Sequence, residues 1–163
     1  MEKTNALRIL DKAKLNYQLH SYPTDGHALD AVSVAIAIHQ SPDKIYKTLV
    51  VMGASHTHYV LIINSQDELD LKKAASALQE KSIEMIQVKD ILALTGYVRG
   101  GCSPIGMKKA FKTVLDQRAL LNETLIVSAG RIGLQLEMDT KILIGFIKAE
   151  VFELCRLTNG NGE

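Results

Sequence analysis

Residues Gly100 to Lys109 read Gly-Gly-Cys-Ser-Pro-Ile-Gly-Met-Lys-Lys, with three glycines and a proline in ten positions. Such a stretch forms a loop whose backbone can approach a ligand closely. Successive N–H groups can then converge on one anionic point. A phosphate, a carboxylate or the oxyanion of an ester under attack fits that arrangement. Two other positions offer polar chemistry within apolar runs. Lys47 stands in Ile45-Tyr46-Lys47-Thr48-Leu49-Val50-Val51, and Ser128 in Leu125-Ile126-Val127-Ser128-Ala129-Gly130-Arg131. Taken singly, each has an ordinary explanation: a tight turn, a lysine on a solvated strand face, a turn-forming serine.

The remaining reactive side chains are less ordered. Cys102 lies inside the glycine loop, where nearby Lys108 can favour its thiolate. Cys155 reads as a small buried apolar residue. The two cysteines make no CxxC motif, disulfide framework or metal-ligand spacing. His56 and His58 flank Thr57 in a turn-prone segment and read as surface residues. His20 and Tyr22 share one face of a short alternating run. No motif pairs a histidine with Ser128 or Cys102, so neither is assigned as a nucleophile. No nucleotide-binding motif or metal cluster calls for a cofactor, and none is expected.

The elements that must hold these residues follow from periodicity. Thr4 or Asn5 caps a first helix carrying Leu7, Leu10 and Ala13 on one face. Residues 17–22 alternate as a strand, and Pro23 with Asp25-Gly26 makes a turn. Residues 28–38 are alanine-rich and read as helix, although their valines and isoleucines also suit a strand. Ser41-Pro42-Asp43 opens a short helical turn. Runs 45–53 and 59–64 form a hairpin. Segments 69–79 and 88–94 are helical, the second stopped by Gly96. Strands follow at 111–116, 124–128 and 132–138, then a helix at 138–147 and a closing strand at 151–154. Strands and helices mix without regular βαβ alternation. The expected fold is α+β: a mixed, mainly antiparallel sheet or partly open barrel surrounded by helices.

In order along the chain, Lys47, residues 96–101, Ser103-Pro104-Ile105-Gly106 and Ser128 resemble the YbaK/EbsC family of aminoacyl-tRNA deacylases. That family is related to the editing domain of bacterial prolyl-tRNA synthetases. The resemblance spans about Thr4 to Leu154 and is strongest with the branch acting on cysteinyl-tRNA(Pro). It implies that Lys47 is the essential lysine, that Gly100 or Gly101 donates an N–H to the ester carbonyl, and that Ser128 positions substrate. Further substrate contacts are expected from His20, Tyr22, Ser103, Pro104 and Lys108. If residues 108–112 are helical, Lys108 and Lys112 share a face that can meet acceptor-stem phosphates.

The implied activity is trans-editing: deacylation of Cys-tRNA(Pro) by positioning and oxyanion stabilisation, with the substrate thiol as nucleophile. A synthetase pocket for proline cannot strongly reject cysteine by size, so a second site must clear the product. Alternatives within reach are a deacylase for alanyl- or seryl-tRNA and a non-catalytic regulatory binding protein.

At 163 residues the chain is expected to form a single domain over residues 1–157 with a disordered tail at 158–163. It is 47% hydrophobic and 23% charged, as soluble globular proteins are. A net charge of +1 excludes a strong overall field for nucleic acid. Prolyl-tRNA synthetase is therefore the expected partner supplying tRNA(Pro), with the chain itself monomeric. The lack of a signal-peptide pattern or membrane-length apolar run points to the cytoplasm.

Overall fold

A computed structural model describes residues 2–157, and the expected tail lies outside them. Two sheets form the framework. The smaller has the order β1-β7-β6, from strands Gln18–Ser21, Leu134–Asp139 and Thr124–Arg131, all antiparallel. The larger has the order β4-β2-β3-β5-β8, from Ile83–Met85, Tyr46–Gly53, His58–Asn64, Lys112–Asp116 and Glu150–Phe152. Its β3–β5 and β5–β8 pairings are parallel and its other pairings antiparallel. The helices are α1 (Asn5–Lys12), α2 (Ala31–Ile38), α3 (Leu71–Leu78), α4 (Val88–Thr95) and α5 (Thr140–Ile147). The expected α+β class, mainly antiparallel and not a closed barrel, is what the chain adopts.

Local chemistry sets the helix ends. Side chains of Thr4, Asp30, Asp70 and Asp139 accept N–H bonds at the starts of α1, α2, α3 and α5. Gly96 ends α4 in the left-handed conformation. Ser41 caps the short 3-10 turn Pro42–Lys44, as its sequence anticipates. Two expectations fail. Ala13 lies at the exposed C-cap of α1, outside the apolar stripe made by Ala6, Leu7 and Leu10. The segment after Gly106 is not helical, and Lys112 opens β5, where it pairs with Glu150 at 3.4 Å. Lys108 and Lys112 therefore share no helix face.

The main core fills the space between the sheets. Leu125, Val127 and Ala129 of β6, with Leu134, Leu136 and Met138 of β7, pack against Tyr46, Val60, Ile62 and Leu115, closed by α1 and α5. A second cluster lies under α3, on the other face of the large sheet. These apolar residues alternate along β6 and β7, so the intervening positions form the opposite face of the small sheet. That face carries Thr124, Ile126, Ser128, Gln135 and Glu137, all but Thr124 buried and mostly polar. Polar groups hidden in this way need partners, or mark a site.

Candidate active site

The two sheets touch at one parallel bridge, Ile45 to Ile126. Parallel strands advance together, so Lys47 and Ser128 stand two residues past that contact on opposite sides of a widening gap. The edge of β2 turned away from β3 meets β4 only from Val51 onward, with Ile86 N–H reaching Val50 C=O at 3.3 Å. Before Val51, that edge borders the gap.

The gap is a cavity of about 640 Å³. Lys47, Thr48 and Leu49 line it from β2, and Ser128 and Gln135 from the polar face of the small sheet. Tyr22 and the start of α2 close one side, Met85 to Ile91 another, and Arg99, Gly100 and Cys102 complete the wall. α2 is held over the small sheet by a cluster of Tyr22, Val34, Ala35, Ile38, Ile45 and Ile126.

Lys47 is half-buried and makes no ion pair among the described residues. Lys47 is a lining residue of the cavity, and its ammonium is uncommitted among the described residues. Thr48 also lines the cavity, but its Oγ1 is buried without a hydrogen-bond partner among the described residues. Ser128 does not end its strand, as its sequence implies. β6 continues to Arg131, with a register irregularity between Ser128 and Arg131. Ser128 Oγ accepts the Gly130 N–H at 3.1 Å, which fixes the hydroxyl at the bulge.

The two glycines divide their work. Gly100 lines the cavity with φ +84°, and a Cβ there would lie 2.7 Å from Ala28 Cβ. Its N–H has no partner among the described residues, so it is free to face a substrate carbonyl. Gly101 is different. Its N–H donates to Val98 C=O at 3.0 Å, and a Cβ would come within 2.8 Å of Arg131 Cα. Gly101 lets the loop wedge against β6, whereas the Gly100 N–H has no partner among the described residues.

Four other expected contacts fall elsewhere. The His20 side chain is buried, and its Nε2 donates to Glu137 Oε1 at 2.8 Å. Lys44 Nζ at 2.5 Å and Thr124 Oγ1 at 2.5 Å complete the shell of Glu137. Burial opposes the Glu137 charge, but the hydrogen bonds from Lys44, Thr124 and His20 outweigh it and hold the carboxyl down at about 2. Ser103 is fully buried, its Oγ accepting Ile105 N–H at 3.3 Å. Pro104 borders a separate hollow of about 250 Å³. Lys108 is exposed and packs over Gly96. The second half of the glycine motif is therefore an anchor: Tyr97 OH donates to Ile105 C=O at 2.6 Å, and Asn5 Nδ2 to Gly106 C=O at 2.8 Å.

Cys102 lines the cavity, but burial pushes its thiol up to about 11. At neutral pH it is protonated, and thiols attack as thiolates. No histidine lines the cavity among the described residues. Nor do the described residues contain a group of three or more His, Cys, Asp or Glu able to hold a metal. Besides Cys102, the polar side chains lining the cavity are Lys47, Arg99, Gln135, the hydroxyl-bearing Thr48, Ser65, Ser128, Tyr22 and Tyr46, and Asp30, whose carboxylate is taken up by the Ser33 N–H at the start of α2. This lining suits holding a carbonyl and its developing negative charge better than generating a protein nucleophile.

Residues 25–146 match the family model of the aminoacyl-tRNA editing domain. The chain belongs to that family. It is 40% identical over 153 residues to EbsC of Enterococcus faecalis, a protein assigned as a Cys-tRNA(Pro)/Cys-tRNA(Cys) deacylase, covering 94% of this chain and 93% of that one. The fold recurs in a protein assigned as a trans-editing enzyme for prolyl-tRNA synthetase, with TM-score 0.83 and 20% identity over 96% of this chain and 100% of that one. It recurs also in a crystallised hypothetical protein, with TM-score 0.85 and 19% identity over 94% and 100%. Among the described residues of this editing domain, no helix is long and apolar enough to cross a membrane.

Sequence reasoning missed Thr48, Gln135 and Arg99 as cavity residues. For Gln135 a signal exists in the strict alternation of Leu134, Leu136 and Met138 with Gln135 and Glu137, which announces a strand with one polar face. Thr48 carries no such mark, because its place on an unpaired strand edge depends on where β4 begins.

Proposed function

We propose that this editing domain deacylates misacylated tRNA in trans, and that its substrate is cysteine esterified to tRNA(Pro). The observation that carries the reading is the convergence of Lys47, Gly100 and Ser128, from three separate elements, on one cavity. The 40% identity to EbsC supports the choice of amino acid.

In this reading the Gly100 N–H and the Lys47 ammonium polarise the ester carbonyl, while Ser128 orients the aminoacyl group. The sulfur of the substrate cysteine attacks its own carbonyl carbon. The C–O bond to the terminal ribose breaks, the ribose oxygen takes up the thiol proton, and a cyclic thiolactone leaves with free tRNA. Holding sulfur and carbonyl in reacting geometry replaces the need for a protein nucleophile. A cavity of about 640 Å³ is too roomy to select cysteine by size. Selectivity arises instead because alanine and serine bring no thiol. Prolyl-tRNA synthetase, as a partner presenting its own product, would supply the choice of tRNA(Pro).

The test is deacylation of tRNA(Pro) carrying cysteine, alanine, serine or proline, with a thiol-blocked cysteinyl-tRNA as a fifth substrate. Rapid loss of cysteine alone, abolished by blocking the thiol, is expected. Equal rates for alanine and cysteine, or no deacylation of any substrate by folded protein, would overturn the proposal.

A further inference from the structure

Large apolar side chains left half-exposed beside a cavity mouth need an explanation. Leu29, just before α2, is 44% exposed, Met85 at the end of β4 is 47% exposed, and Val88 at the start of α4 is 55% exposed. All three also line the cavity. Exposed apolar side chains continue from two of them onto the helices: Val32 and Ile36 of α2 follow Leu29 at 52% and 70% exposure, and Leu92 of α4 follows Val88 at 54%. Arg99, exposed and without an ion pair among the described residues, lines the same cavity.

We infer that Leu29, Met85 and Val88 form an apolar rim that receives the terminal adenine base of the tRNA, with Arg99 meeting the adjoining phosphate. The inference rests on the proposed function. If the aminoacyl carbonyl sits at Gly100 and Lys47 inside the cavity, the ribose bonded to it stands in the mouth, and its base must lie on whatever borders that mouth. A net charge of +1 gives little phosphate attraction, so affinity must come from contacts indifferent to sequence. Apolar side chains against a base face provide such contacts. Every tRNA ends in the same adenosine, so a rim of this kind binds the common end and leaves tRNA identity to a partner.

Two measurements test the rim, one without catalysis. First, methionine methyl NMR follows a titration with adenosine 5′-monophosphate, with ribose 5-phosphate as the control lacking a base. The Met85 methyl should shift with the nucleotide and not with the sugar phosphate, while buried Met138 stays unmoved. Absence of a Met85 response at millimolar nucleotide would overturn the inference, whatever the protein's activity.

Second, Met85→Ser and Val88→Ser are compared with wild type on cysteinyl-adenosine and on cysteine ethyl ester. Loss of a base contact should lower kcat/KM for the adenosine ester roughly tenfold more than for the ethyl ester. Equal loss on both esters would overturn the rim. So would variants that match wild type on both esters but lose stimulation by prolyl-tRNA synthetase, since the patch would then be a protein-docking surface. If wild type cleaves neither ester nor cysteinyl-tRNA, the proposed function fails, and the nucleotide titration still decides the rim.

Discussion

Replacing Glu137 by Gln should cost stability at neutral pH and cost progressively less as the solution is acidified. Glu137 sits in the polar face of the small sheet, where it ties β1 through His20, β6 through Thr124 and the turn before β2 through Lys44. Its carboxyl is held at about 2, against an ordinary value of 4.5. Because the folded value is depressed, the unfolded chain binds the extra proton between those limits. The stabilisation is complete above about pH 4.5 and is lost as pH falls toward 2. At about 1.4 kcal/mol for each tenfold difference in proton affinity, the gap corresponds to about 3 kcal/mol, a large share of a typical domain's stability. The variant also leaves the Lys44 ammonium beside a neutral amide. Urea unfolding at pH 7, 5, 4 and 3 measures the difference between wild type and Glu137→Gln directly, and other carboxylates cancel in it. A difference of about 3 kcal/mol at pH 7 that shrinks below pH 4.5 is expected. A difference that is constant across the series would refute the assignment of the low carboxyl to Glu137.

Lys47→Ala should lower kcat for cysteinyl-tRNA(Pro) by roughly a hundredfold or more while the thermal midpoint stays near wild type, because Lys47 lines the cavity without an ion pair among the described residues; activity assays beside thermal melts check both. Gly101→Ala should destabilise by about 1–3 kcal/mol, because the new Cβ would fall 2.8 Å from the Arg131 backbone, as denaturant unfolding will show. Cys102→Ala should deacylate at nearly the wild-type rate, and the wild-type thiol, raised to about 11, should be alkylated by iodoacetamide at pH 8 far more slowly than free cysteine. The affinity of isolated protein for free tRNA should be weak and fall only shallowly with salt, which a titration at several salt concentrations will show.

Much of the fold was legible from local chemistry. Caps at Thr4, Ser41 and Gly96, the hairpin around residues 54–57 and the apolar runs of β2, β3, β5 and β6 each reflect interactions within a few residues. What escaped depends on partners far away in sequence. β4 is three residues long and exists because β2 offers it an edge. His20 and Tyr22 look alike as neighbours on one strand face, yet Tyr22 reaches the cavity and His20 is captured by a carboxylate 117 residues away. Gly100 and Gly101 are indistinguishable as letters. Only the positions of Ala28, Val98 and Arg131 separate an open donor from a packing contact.

The site lies where a continuous sheet would have been an alternative. Ile45 and Ile126 already pair in parallel, and two more residues of pairing would bring Lys47 and Ser128 together and seal the cavity. The strands instead diverge. The chain from Arg99 to Cys102 and the start of α2 occupy the sides of the opening, and the β6 register with β7 becomes irregular beyond Ser128. The Thr48 hydroxyl on this stretch of β2 is left buried without a partner among the described residues. A buried hydroxyl left unpaired in this way costs free energy. The Glu137 cluster then has a clear physical place: it clamps the closed end of the wedge, where Lys44 precedes Ile45 and Thr124 precedes Ile126. Stability is concentrated at the apex so that the mouth can remain unpaired.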